Sequence, residues 1–375
     1  MTTRRWIVKR HDHSAAKALA DVLGVRPVTA ALLIDRGFDT PEKAKLFLKP
    51  EISQLHDPRL LKDLDRAVIR IMRAIESDEK ILVWGDYDVD GTTGTVLLRK
   101  AIAACGGKSD FHIPNRFSEG YGLNIENLEK WRQSGVSLII TVDCGMRAFE
   151  SAEWAAEKQI DLIITDHHLP ESEKGLPRAF AIINPNRNDC SYPDKNLAGV
   201  GVAFKLATEL LNVRGLSPMA KDLLHIAAIG TVADIMNLRG ENRAIVHFGL
   251  KGLSETNQPG LKALMDVAGC DREMTSESIG FRIGPRINAA GRMDAASDVV
   301  RLLETDDTAL AATLAAKLDQ RNRERQQLQQ EITASAEKMV GDLEKQRFIV
   351  VGGEGWHRGV IGLAASRIAE RFWRP

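Results

Sequence analysis

Three strand-length apolar runs in the first half of the chain all end in acidic or imidazole side chains. KILVWG (80–85) leads into DYDVDG, VSLIITV (136–142) into DCG, and IDLIIT (160–165) into DHH. Runs of aliphatic residues with no polar face suit strands covered on both sides, which is the pattern of a parallel sheet sandwiched by helices. Between the runs the pattern is helical: TTGTVLLRKAIAACGG closes on glycines, and 148–157 reads as a second helix. SDFHIPNR and AFAIIN (179–184, stopped by Pro185) add two more strand candidates. Strands alternating with helices predict an α/β fold with a mostly parallel sheet flanked by helices.

The rest of the chain divides around this unit. Residues 1–76 predict a helical region, with AAKALADVLG, PVTAALLIDRG and LDRAVIRIMRAIES carrying helical spacing. Residues 77–300 form the α/β unit. Within it 197–253 are helical, with GVAFKLATELL and KDLLHIAAIGTVADIM, and 254–300 are mixed and rich in glycine and polar residues. The stretch 307–346 has no proline and one glycine and predicts one long helix, a connector across 301–346; a coiled-coil arm is the alternative, although the apolar spacing is not a clean heptad. From 347 to 375, RFIVVGG predicts a strand and GVIGLAASRIAERFW a helix, the start of a second α/β unit.

Composition excludes several classes. Apolar residues are 44% and charged residues 27%, enough for a core and too balanced for a disordered chain. The formal net charge is zero, which argues mildly against a nucleic-acid partner unless one groove is locally positive. The four cysteines, Cys105, Cys144, Cys190 and Cys270, make no C-x-x-C pair, so a reduced, cytoplasmic chain is expected. MTTRRWIVKRHDHS lacks the apolar stretch of a signal peptide, and no run approaches the ~18 residues of a membrane helix.

The strand ends carry the chemistry. Asp86, Asp88 and Asp90 alternate after the first strand, and close carboxylates repel unless a helix N-terminus or a cation offsets them. The segment resembles the start of a calcium loop, but the twelfth position, where an EF-hand needs glutamate, is Leu97, and a strand precedes it. Asp143 and the trio Asp166, His167, His168 follow the other two runs. One such residue is ordinarily a helix cap; three strand ends delivering Asp or His to the crevice beyond a parallel sheet point to a shared site. Asp234, in the apolar stretch GTVADIMNL, is costly to bury unless paired or liganded; the alternative is a helix-end aspartate facing solvent. Carboxylates with imidazole suit Mg²⁺ or Mn²⁺ better than zinc, and this many ligands suit two ions. Two ions clamp the attacking and leaving oxygens of a phosphoryl transfer, so phosphoester hydrolysis is the expected chemistry.

These residues resemble the DHH phosphoesterase superfamily, named for the Asp166-His167-His168 element, and within it the RecJ branch of single-strand-specific exonucleases. The motifs are GDYDVDGTTG, PNRFSEGYGL, TVDCG, TDHH, INPNR, GTVADIMNL, GPRINAAGRM and GGEGWHRGVIG, in order over about 80–365. The resemblance implies a DHH-type catalytic domain, a connector helix, and a partial DHHA1 domain in a chain cut short of the family's usual length. It implies two Mn²⁺ or Mg²⁺ ions held by Asp86, Asp88, Asp143, His167 and Asp234, with Asp143 bridging. Asp90, Asp166 and His168 would act beside them, Asp166 orienting His167 and His168 touching the scissile phosphate. Arg286, Asn288, Arg292, Gly353, His357 and Arg358 would bind substrate, while Trp356 packs or stacks. Other branches often carry a histidine where this chain has Leu82. The implied activity is release of nucleotides from the 5′ end of single-stranded DNA in repair and recombination, by a monomer, with single-strand-binding protein and a helicase as partners. The rival readings are a DHH enzyme for short oligonucleotides or small nucleotide phosphates, and a replication scaffold without catalysis.

Overall fold

The structure, a computed structural model, describes residue 7 and residues 11–270, 273–293, 296–341 and 347–375. Four helices come first: α1 (His13–Leu23), α2 (Pro27–Asp35), α3 (Pro41–Leu48) and α4 (Leu64–Glu76). The α/β unit follows as β1 (Lys80–Gly85), α5 (Val89–Ala104), β2 (Ser109–His112), α6 (Ile125–Gln133), β3 (Val136–Val142), α7 (Phe149–Glu157), β4 (Asp161–Thr165) and β5 (Ala181–Ile183). The strands lie in the order β2-β1-β3-β4-β5, every pair parallel. Alternate strand residues go to opposite faces. A helical layer comes after the sheet: α8 (Gly199–Val213), α9 (Leu224–Ala233), α10 (Gly240–Glu255) and α11 (Pro259–Val267). Ile81, Val83, Leu138, Ile140, Val142 and Ile163 join the core under α4, α5 and α8, while Leu82, Trp84, Ile139, Leu162 and Ile164 join the one under α6 and α7. Both faces are dry, which is why the strands read as unbroken apolar runs.

Residues 254–300, expected to be mixed, are mainly helical. The short α12 (Ser276–Ser278) runs through a π-helical segment (Ile279–Ile283) into α13 (Gly284–Arg292), and α14 (Ala296–Glu304) follows. Pro259 and Pro285 occupy first-turn positions, where a missing N–H costs nothing, so prolines that resemble breakers are starters here.

The long helix α15 spans Thr308–Met339, stopping short of 346. Gly341 lies just beyond its end, and the expected last turn (342–346) lies outside the described residues. RFIVVGG is not a strand. A strand needs a neighbour for its backbone groups, and among the described residues Ile349 N–H meets the Pro375 carbonyl, at 2.9 Å, rather than a strand. The helix beyond, α16 (Ile361–Phe372), packs on α15. No helix among the described residues is long and apolar enough to cross a membrane.

Candidate metal centre

In a sheet of order 2-1-3-4-5 the chain reverses direction between β1 and β3, and a crevice opens beyond the strand ends there. The hydrogen-bond ladder continues one residue past each strand into that crevice. Asp86 N–H donates to Val142 O at 3.2 Å, Asp143 N–H to Thr165 O at 3.0 Å, and Asp166 N–H to Ile183 O at 3.1 Å. Three acidic residues are thereby fixed at one level of the sheet by backbone alone. Asp143 has φ 62°, a left-handed conformation that aspartate tolerates better than most residues. Its side chain lies against the first turn of α8, where a Cβ on Gly199 would come within 2.6 Å of the Asp143 Cβ.

Helices supply the rest. Asp88 caps α5, accepting Gly91 N–H at 3.0 Å. Asp90, on the first turn of α5, accepts Gly199 N–H at 2.6 Å and Val200 N–H at 2.8 Å, so it caps α8. Asp234 stands at the end of α9, its helix closed by Ile235 in the left-handed region. His167 Nε2 lies 3.2 Å from Asp143 Oδ1, 3.7 Å from Asp234 Oδ2 and 3.8 Å from Asp90 Oδ2.

Charge here is out of balance. Asp86, Asp90 and Asp143 are all but inaccessible to solvent. Burial, then the Asp88 carboxylate, raises Asp86 to about 7. Burial likewise raises Asp88, and it drives Asp90 and Asp143 well above the usual carboxylate range, helped by neighbouring aspartates. Burial, then Asp88, takes Asp234 to about 6. Burial lowers His167 to about 4, against a backbone hydrogen bond to Leu197. His167 Nε2 faces three carboxylates. Oδ1 of Asp86 and Oδ1 of Asp143 are buried without a hydrogen-bond partner. Electron-rich atoms converging on one point are offset by protons or by cations between them, and a divalent cation does so most strongly. Three triads have donor atoms within 4.8 Å of one another: Asp86, Asp88 and Asp143; Asp90, His167 and Asp234; and Asp143, His167 and His168. Asp143 and His167 each belong to two, so the donors fit two neighbouring divalent ions.

Beside the acids is a cavity of about 530 Å³, lined by Asp86, Asp88, Asp166 and His168 on one side and by Arg116, Arg147, Asn288 and Arg292 on the other. Tyr87 and Tyr121 also line it. Anionic floor and cationic wall suit a phosphate ester bridging ions and guanidinium groups. α13 reaches this wall because Gly291 packs against the Tyr87 carbonyl with no room for a Cβ.

Several expectations need correction. Asp166 does not orient the His167 ring. Its Oδ1 holds His168 Nδ1 at 2.7 Å and the His167 and His168 N–H groups at 2.7 and 3.0 Å, and its Oδ2 accepts Met146 N–H at 2.9 Å. The side-chain hydrogen bond to Asp166, foremost, raises the His168 pKa. Asp90 lies nearer the ligand set than expected, within one triad of it. Arg286 is outside the cavity: its guanidinium pairs with Asp319 of α15 at 2.9 Å and donates to the Arg282 and Val267 carbonyls. Gly353, His357 and Arg358 also miss the cavity lining. Gly353 packs over Trp356, Arg358 is exposed, and His357 contacts Phe117 edge-on at 5.4 Å. Trp356 packs with Leu328, Ile332 and Val360. The C-terminal segment meets the site through Arg292, which donates to Gly359 O at 2.9 Å. Arg116 and Arg147 were missed as individuals; Arg116 lies inside the motif PNRFSEGYGL, and Arg147 lies two residues beyond TVDCG.

The DHH family, N-terminal domain, matches residues 80–231. The single-stranded-DNA-specific exonuclease RecJ of Bacillus subtilis is 44% identical over 99% of this chain and 47% of its own length. A crystal structure of RecJ in complex with Mn²⁺ from Thermus thermophilus superposes with a TM-score of 0.82 at 33% identity, over 96% of this chain and 51% of the other. A crystal structure of exonuclease RecJ bound to manganese gives 0.78 at 35% identity, over 86% of this chain and 80% of the other. The chain spans about half the length of the Bacillus relative.

Proposed function

Because the chain belongs to the RecJ family of DHH-domain proteins, we propose that it is a metal-dependent exonuclease releasing nucleotides from the 5′ end of single-stranded DNA. The observation that carries the chemistry is the convergence of His167 Nε2 with the Asp90, Asp143 and Asp234 carboxylates, beside an arginine-lined cavity. Asp86, Asp88 and Asp143 would hold one Mn²⁺ or Mg²⁺ ion, and His167, Asp234, Asp90 and the shared Asp143 a second. Bound ions supply Lewis-acid polarisation of the phosphate and a water of lowered pKa.

The chain's own groups do the rest. Arg116, Arg147 and Arg292 grip phosphate oxygens, and burial with Arg116 nearby holds the Arg292 pKa below its usual value. His168 Nδ1–H donates to Asp166, which raises the His168 pKa, and in the protonated ring Nε2–H donates to a phosphate oxygen. Asn288 offers the same wall a neutral donor. A cytoplasmic monomer working with single-strand-binding protein and a helicase belongs to the same proposal.

The test is Mn²⁺-dependent digestion of end-labelled single-stranded DNA, duplex DNA and a labelled dinucleotide. Stepwise loss from the 5′ end of the single strand supports the reading. Turnover of the dinucleotide alone would replace it with a short-oligonucleotide phosphoesterase, and no turnover with Mn²⁺ bound would leave a scaffold.

A further inference from the structure

The loop between β2 and α6 carries two cavity-lining residues, Arg116 and Tyr121, and one of its side chains bonds to both flanking elements. Glu119 Oε2 accepts from two donors, His112 Nε2 at the end of β2 and Asn127 Nδ2 on α6, each at 2.7 Å. The His112 ring lies against Trp84, centroids 4.0 Å apart, and its Nδ1 receives the Trp131 indole N–H at 3.2 Å. An indole N–H only donates. Nδ1 is therefore the unprotonated nitrogen, and Nε2 carries the proton it gives to Glu119. Burial lowers the His112 pKa, in keeping with a neutral ring. The contact is a hydrogen bond from a fixed tautomer rather than an ion pair.

From Glu119 the constraint passes to the cavity. Glu119 N–H donates to Asn115 O at 2.8 Å, and Asn115 Oδ1 accepts the Phe117 and Ser118 N–H groups at 2.8 and 3.0 Å. Residues 115–119 thus form one braced turn with Arg116 inside it. Beyond the turn, Gly120 and Gly122, with φ of 84° and 80°, flank Tyr121, whose hydroxyl donates to Asp143 O at 3.3 Å.

We infer that Glu119 is a positioning residue for substrate binding, a clasp that fixes Arg116 over the metal centre through His112 and Asn127. The inference rests on the exonuclease reading above and adds which residue holds the cationic wall in place. Both donors use one oxygen, so an amide oxygen serves as well as a carboxylate. Glu119→Gln keeps the clasp and Glu119→Ala removes it.

Steady-state kinetics on a labelled single strand with Mn²⁺ test this. Glu119→Ala raises KM about tenfold, the scale of one displaced charge-assisted contact, with kcat within about twofold, while Glu119→Gln stays near the parent. Asn127→Ala, which removes one donor and spares β2, gives a smaller KM rise and carries the test if Glu119→Ala does not fold. Arg116→Ala is the control for the underlying reading. If Arg116→Ala leaves KM unchanged, the cavity itself has been misread. If Arg116→Ala raises KM while neither Glu119→Ala nor Asn127→Ala does, or if Glu119→Gln is as impaired as Glu119→Ala, the clasp is overturned and the exonuclease reading stands.

Discussion

The floor and the wall of the cavity are built differently. Asp86 and Asp166 sit on the floor, with Asp143 buried between their strands, because the ladder of a buried parallel sheet ends there, and their backbones are fixed before any side chain acts. Arg116, Arg147 and Arg292 on the wall come from two loops and a helix end, with local ties such as Arg116 over the Tyr87 ring and Arg292 to Gly359 O. The floor is electrostatically strained and geometrically rigid; the wall is electrostatically ready and geometrically dependent. Floor substitutions should therefore change chemistry and metal binding, and wall substitutions should change substrate affinity.

The largest expected effect tests the floor. Asp143→Ala removes a donor shared by two triads, and activity in the Mn²⁺ digestion should fall on the order of 10³-fold, about 4 kcal/mol. Full activity in that variant would break the comparison at its base.

Next is the pH dependence of the metal-free chain. Asp86 titrates near 7 when folded against 3.8 as its ordinary value. Below about pH 4 the carboxyl is protonated whether folded or unfolded and costs nothing. Between about 4 and 7 the unfolded state loses its proton first, so stability falls as pH rises, by on the order of 2–4 kcal/mol. Metal-free protein should melt at a lower temperature at pH 8 than at pH 5, and Mn²⁺ should reverse the trend because binding displaces the proton. Thermal melts with and without chelator measure both, and a metal-free melting temperature that rises with pH would contradict the strained floor.

Arg292→Ala tests the wall. KM should rise about tenfold through loss of a charge-assisted phosphate contact, with Mn²⁺ affinity by calorimetry unchanged. A lost metal site would mean that floor and wall are one unit. The smallest effect is Arg286→Ala, which should cost roughly 1–2 kcal/mol of stability through the lost Asp319 and carbonyl partners and leave KM alone.

The two arginines also mark how far sequence reading reaches. The floor was legible because a doubly covered strand is written as an apolar run, and the residue at its C-terminal end must face the crevice. α13 was not, since its glycines and polar residues disguise a helix. Once it is a helix, Asn288 and Arg292 fall on one face, while Arg286 and Arg292 are about 120° apart around the axis, which separates a cavity residue from one facing α15. Arg116 and Arg147 have no periodicity to betray them, because loop conformation is set by distant partners such as His112. RFIVVGG failed for a related reason: β propensity describes one strand, and a strand forms only beside another.

Asp90 divides its attention between the α8 amides and the ion cluster. Charge that an ion draws from Asp90 is charge withdrawn from the Gly199 and Val200 N–H groups that point at it. Titrating Mg²⁺ into labelled protein should move these two amide resonances, so the helix carries its own reporter on cation occupancy. The signal would register a bound ion without any nucleic acid in the tube.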